Sequence, residues 1–344
     1  MADQSSQLLS LQSRALEGIG CVLLGMAFFV AQDGLMKSLL LLYPIWMLIF
    51  VRGVVTVLVL MPAILYLGRP HRLLSPLWPL HLARAALFAS GFTLFYTAFP
   101  FMGLAEVSTI FFSAPLMIAL LASFWLGEKI GPHRIAALVV GFAGVIIAMN
   151  PGGETFQWVA VLPLVCAATY AVSQILARKI GDRDTTLTTA LYTVVLAGIL
   201  IVPAGWIVNQ LVPFGPEFSH LQWNWPAVSF SDGLWLALLG SVGLIGFALL
   251  SRAYQITSAS LVAPFDYAYL PMATIMAYLI WDEVPGVNTL VGMVLIIASG
   301  LYLGYRELKS SGRSRIEPRP VAESVVAPGN PTAPMSLGPD VPDR

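Results

Sequence analysis

Ala105–Glu128 reads AEVSTIFFSAPLMIALLASFWLGE, and Ser260–Glu283 reads SLVAPFDYAYLPMATIMAYLIWDE. Both stretches open on small or hydroxyl residues, carry a proline near the middle, and run through apolar sequence to a glutamate. Glu128 and Glu283 stand 155 residues apart (283 − 128), as do Ala98 in TAF and Ala253 in RAY (253 − 98). A block that recurs at fixed spacing is a structural unit built twice. Each copy is also long enough to cross a hydrocarbon core of about 30 Å as a helix. The fold is therefore decided here: membrane-spanning helices in two matching sets.

Composition agrees. Of 344 residues, 58% are hydrophobic and 10% charged, where a soluble domain carries about 25% charged residues. Apolar runs of span length recur from end to end, which excludes a membrane β-barrel with its short alternating segments. Eighteen basic and eighteen acidic residues balance to zero, so there is no electrostatic footprint for nucleic acid. Cys21 and Cys166 lie inside apolar runs and suggest packing, not a disulfide framework or metal site. The four histidines (His71, His81, His133, His220) fall in or near connecting segments without ligand spacing. No cofactor is expected. The N-terminus, MADQSSQLLSLQSRALEGIG, lacks the basic start of a cleaved signal.

Ten spans are expected, near 18–42, 45–67, 80–101, 104–126, 134–150, 156–177, 187–208, 233–254, 260–281 and 285–305. Basic residues set their orientation. Arg14, Arg69, Arg72, Lys129, Arg134, Arg178, Lys179, Arg183, Arg306, Lys309, Arg313 and Arg315 fall on one set of faces, with Lys37 the exception near the other. Both termini are thus expected in the cytoplasm, for a protein of a bacterial inner membrane. The 209–232 connection, with Trp223 and Trp225, is expected outside and at the interface. The proline-rich sequence of 309–344 cannot bury a core and reads as a disordered cytoplasmic tail.

The earlier parts of the two halves also align. FFVAQDGLMK matches TYAVSQILARK with Phe29 opposite Tyr170 (170 − 29 = 141), the extra residues falling in the long Asn209 segment. Residues 1–17 form a cytoplasmic segment, 18–150 the first five-span repeat and 156–305 the second. Five is odd, so the repeats have opposite orientation in the membrane. Inverted repeats belong to secondary transporters, with the substrate site between the halves near mid-membrane.

FSAPLMIALLASFWLGEKIG followed by GFAGVIIAMNPGG, and RAYQITSASLVAPFDYAYLPMATIMAYLIWDEVPG followed by GLYLGYRE, resemble the ten-helix, EamA-like branch of the drug/metabolite transporter superfamily. The resemblance covers about residues 18 to 306. It implies uptake or export of a small metabolite by alternating access. QDGLMK followed by FVRG is most similar to members that move S-adenosylmethionine, riboflavin or related metabolites.

Polar residues within spans divide by symmetry. Glu128 and Glu283 recur in both halves and read as helix-end anchors, because charge is tolerated at an interface. Asp33 faces Gln174 under the repeat alignment, Arg52 faces Thr193, Arg252 faces Thr97, and Asp266 faces Phe111. A fold built twice does not need them, since one copy lacks each. Asp33 lies nine residues before Leu42, about 13 Å inside the membrane, and Arg52 about 10 Å inside from Ile45. Gln32, Asp33, Lys37, Arg52, Tyr96 and Tyr269 are therefore expected to line the substrate cavity, with Asp33 partnered by Lys37, Arg52 or substrate. Asp266 lies between Pro264 and Pro271, about 9 Å beyond Ser260. It is expected to respond to protons or to gate, with Arg252 and Arg84 in reach and Tyr269 on its face.

The expected function is gradient-driven transport of a small polar or zwitterionic metabolite, since no ATP-binding motif occurs. Its partners are that solute, the bilayer and protons as coupling ion, for a monomer or a homodimer. The rivals are an intramembrane enzyme using Asp33 and Asp266, and a channel. AQDGL and PFDYA lack the Tyr-Asp and Gly-x-Gly-Asp contexts of intramembrane aspartyl proteases, and a channel would need a continuous polar ring.

Overall fold

The computed structural model describes residues 2–68, 74–126, 131–152, 158–180, 183–257 and 259–311. Glu128, Arg69, Arg72, Lys129, Arg313 and Arg315 lie outside these, as does the expected disordered tail beyond 311. The helices are α1 (Ala2–Leu39), α2 (Ile45–Leu67), α3 (Trp78–Thr97), α4 (Leu104–Phe111), α5 (Ala114–Leu126) and α6 (Pro132–Met149), then α7 (Val161–Ile180), α8 (Thr186–Leu211), α9 (Phe230–Ile256), α10 (Ala259–Val262), α11 (Tyr269–Trp281) and α12 (Val287–Ser311). No strand occurs among the described residues.

Eight segments are long and apolar enough to cross a membrane, starting with Ala15–Leu39 and ending with Val287–Arg306. Leu58, Leu65, Phe124, Val139, Ile199, Leu279 and Val294 project outward, as side chains facing lipid do. The expected spans at 80–101 and 260–281 are not among the eight. The first corresponds to α3, whose opening turns carry His81 and Arg84. The second is broken into α10, a 3-10 turn over Ala263–Ala268 and α11.

The expected continuous helix over 104–126 is broken as well, into α4 and α5. Proline explains both breaks. Pro115 has no N–H to give to the Phe111 carbonyl, and Ser113 N turns tightly onto Ile110 O at 3.1 Å instead. Pro264 and Pro271 flank the second break in the same manner. The two breaks meet: the Phe112 ring stacks on Tyr269 with centroids 5.4 Å apart and touches Tyr267 at 5.8 Å. The stretch of α1 apolar enough to cross a membrane, Ala15–Leu39, lies close to the expected 18–42, and the helix extends beyond it to Ala2. Nothing from Ala2 to Glu17 is a glycine or proline, so nothing there stops it.

The halves interlock. α1 packs along α9, and its counterpart in the second half, α7, packs along α3, the counterpart of α9. α2 lies against α8, and α6 against α12. The last pair comes together through glycine. A Cβ on Gly292 would stand 2.4 Å from the Gly144 carbonyl oxygen, so only the missing side chain permits that approach.

One end of the molecule gathers the α1–α2, α3–α4 and α11–α12 turns with the 212–229 loop. Tyr43 Oη donates to Asp232 Oδ2 at 2.8 Å, Trp46 Nε1 donates to Leu221 O at 2.8 Å, and the Phe101 and Phe218 rings lie 5.2 Å apart. The bond to Asp232 raises the Tyr43 pKa, and burial in the loop lowers that of His220. Asn209 holds the loop down by accepting from Trp223 N at 2.6 Å. At the opposite end, Glu17 of α1 pairs with Arg252 of α9 at 3.2 Å.

Candidate functional site

α1 is buried on the side that meets α9 and α11, and this side carries Asp33 with no exposed surface. Tyr269 Oη, in the first turn of α11 beyond the break, donates to Asp33 Oδ2 at 2.6 Å. Tyr96 Oη, at the end of α3, donates to Oδ1 at 3.1 Å. Arg52 Nη1 of α2 in turn donates to Tyr96 Oη at 3.0 Å. Four helices from both halves thus converge on one carboxylate, and the hydroxyl of Tyr96 stands between it and the Arg52 guanidinium. Gln32, beside Asp33, is buried and lines a crevice with Arg52, Thr56 and Gly243, where a Cβ on the glycine would fall 1.7 Å from Gln32 Oε1.

Lys37 is not the partner of Asp33 that its spacing suggested. It lies one turn closer to the loop end, where its ammonium pairs with Glu283 Oε1 and donates to Met102 O at 3.3 Å. The Trp281 ring centroid is 5.2 Å away, within cation–π range. The α11–α12 turn carries Glu283 over α1, and the neutral hydroxyls have already taken the Asp33 oxygens. Nor is Glu283 simply an anchor at a helix end. Its second oxygen accepts from Leu104 N at 3.1 Å and so caps α4, across 179 residues of chain. Lys37, Trp281 and Glu283, with Phe99–Gly103 and Glu106, line a cavity of about 360 Å³ that opens between the two halves.

Asp266 is set apart from this cluster. It lies in the second break, buried, and accepts from Tyr254 Oη at 3.1 Å. Tyr269, expected on its face, is turned to Asp33, because the 3-10 turn between them changes the angle per residue. Arg252, expected in reach, is more than half exposed and pairs with Glu17. Arg84 is fully buried on α3 and donates from Nε to Ser173 O at 3.1 Å. The two aspartates therefore have separate partners and form no catalytic dyad.

Sequence reasoning missed a buried polar cluster at the end away from the cavity. His81, expected near a connection, is inside α3; its Nε2 lies 3.0 Å from Asp184 Oδ2, and its ring stacks on Tyr192 at 4.6 Å. Ser75 Oγ donates to the same Asp184 oxygen. Serine thus bonds the acid and not the imidazole, which is the wrong order for an activated nucleophile. The signal was a histidine placed three residues before a span's arginine. The partners Trp281 and Met102 of Lys37 carried none, being apolar residues in apolar sequence. No cluster of metal-ligating residues occurs among the described residues.

Comparison with known proteins fits this architecture. The chain is 28% identical to an S-adenosylmethionine uptake transporter of Rickettsia bellii, over 86% of this chain and 96% of that protein. It is 25% identical to a riboflavin transporter of Vibrio cholerae, over 77% and 84%, and 27% identical to a pseudopaline exporter of Pseudomonas aeruginosa, over 65% and 74%. A solved crystal structure shares the fold with a TM-score of 0.55 at 19% identity, covering 86% of this chain and 99% of that one. The three named relatives are transporters rather than enzymes. The EamA-like transporter family model matches twice, over residues 16–150 and 157–305, and the chain belongs to that family, as an integral membrane protein built from two helical repeats.

Proposed function

We propose that the protein is a gradient-driven secondary transporter that moves a small cationic or zwitterionic metabolite, S-adenosylmethionine-like in chemistry, by alternating access. The observation that carries this reading is Asp33: a carboxylate with no exposed surface, between the halves, bonded by the tyrosine hydroxyls of Tyr96 and Tyr269. An acid in a span marks a pathway, and a substrate cation can take the place of the hydroxyl donors at this carboxylate. The broken α4–α5 and α10–α11 segments meet beside it and supply the backbone irregularity that transporters place at their substrate site. The cavity at the loop end is the outer vestibule. Ten spans, inverted repeats, cytoplasmic termini and residence in a bacterial inner membrane complete the proposal. Gln32 and Arg52 line the substrate side, and Asp266 responds to protons.

Protein in liposomes preloaded with unlabelled S-adenosylmethionine should accumulate labelled S-adenosylmethionine by saturable counterflow. Asp33→Asn should weaken that flux by about tenfold or more, as befits removal of one charge-assisted hydrogen bond. Flux that does not saturate, or that equals that of empty liposomes, would sink the proposal.

A further inference from the structure

The vestibule is lined by Lys37, Glu283 and Glu106; Glu106 caps its own helix through Gly103 N, while Lys37 and Glu283 are paired in a way that goes beyond an ordinary surface ion pair. We infer that Lys37 and Glu283 form a head-group clamp for an α-amino acid, Lys37 taking the carboxylate and Glu283 the ammonium. The inference rests on the transport reading above and specifies the chemistry of its substrate.

The clamp follows from how each charge is held. Glu283 presents Oε1 to Lys37 while Oε2 stays on Leu104 N at 3.1 Å. Lys37 keeps Met102 O at 3.3 Å and the Trp281 face at 5.2 Å. Each side chain therefore has a second hold that does not involve the other. The pair can part without either charge losing its place, and both then face the same cavity of about 360 Å³, a size suited to a small molecule. A ligand with only one charge would break the ion pair and leave the other partner uncompensated, which is costly in a partly buried site. A ligand carrying both charges replaces one ion pair by two. The clamp thus selects zwitterions over anions and over cations. Lys37 and Asp33 are four residues apart on α1, about 6 Å along the axis, a separation that a cationic tail has to span for its charge to reach the depth of the buried carboxylate. Gly103 N, on the rim, donates to Glu106 Oε2 at 3.2 Å, which holds the turn independently of the ion pair.

The test uses the full-length protein in nanodiscs and three probes: S-methyl-L-methionine, its decarboxylated amine and its deaminated acid. Wild type should bind the amino acid about tenfold or more tightly than either analogue, since each analogue forgoes one charge-assisted hydrogen bond. Lys37→Met should abolish the discrimination against the amine and keep that against the acid. Glu283→Gln should do the reverse, and its amide oxygen still accepts from Leu104 N, which keeps α4 capped. Melting temperatures verify that both variants are folded. Equal affinities for the three probes in wild type would overturn the clamp, as would no binding of S-methyl-L-methionine. So would both variants losing both discriminations together, the signature of a purely structural pair. Saturable S-adenosylmethionine counterflow that persists beside such a result leaves the transporter reading standing; loss of counterflow is what removes that reading.

Discussion

Asp266 shows how a single residue's role depends on neighbours that are remote in sequence. Proline spacing located it in a weakened stretch of span, and the structure places it in a 3-10 turn. Its expected arginine partner was misjudged, because Arg252 follows the helical face of α9 outward to Glu17. The carboxylate accepts from the neutral hydroxyl of Tyr254 instead. With no ion pair to fix its charge at that hydroxyl, it suits a proton-responsive role. Asp266→Asn should therefore flatten the pH dependence of net transport while exchange of solute for solute continues. An unchanged pH profile at normal expression would make the residue structural. Asp33 was legible as a candidate from its place in a span, but its partner was not. Tyr269 lies 236 residues away, and only the packing of α11 against α1 brings the two together.

Among the elements, hydrophobic runs placed the helices well, because span length follows from bilayer thickness. Breaks were harder to see. An apolar run reads the same whether or not one hydrogen bond inside it is missing, and Pro115 alone marked the first interruption. Glycine in GFAG and at Gly292 permits close helix approach, though nothing in the sequence says which helix comes near. The α6–α12 interface gives a direct test. A side chain on Gly292 meets the Gly144 carbonyl and Ala148 backbone, which cannot move as a flexible side chain can. Gly292→Leu should destabilise the protein by about 1–3 kcal/mol, the usual effect of overpacking. Gly304→Ala, on the same helix with nothing within 4 Å of the added carbon, serves as control. Equal melting temperatures for the two variants would show that the interface is looser than described.

For the whole molecule, the repeat was legible because its spacing survives in the sequence, while the sidedness rests on charge alone. Basic residues cluster at connections on one face set, so the 212–229 loop is expected outside and the end of α12 inside. Single cysteines at Ser219 and Ser310, with Cys21 and Cys166 replaced, check this with an impermeant thiol reagent on intact cells. Ser219→Cys should label and Ser310→Cys should not until the membrane is opened. The opposite pattern would invert the molecule, and with it the assignment of the cavity as an outer vestibule.

The interlocking of the halves bears on how the protein is made. α1 lies along α9 and α3 along α7, so the first helices to leave the ribosome find their final neighbours only after residues beyond 158 are synthesised. Until then the faces of α1 and α3 that meet α9 and α7 in the finished fold lack those partners, and the bond from Arg84 to Ser173 of α7 cannot form, whereas Asp33 has Tyr96 of α3 at hand from the start. A chain stopped near its middle would therefore lack the packing that α1 and α3 have in the finished fold.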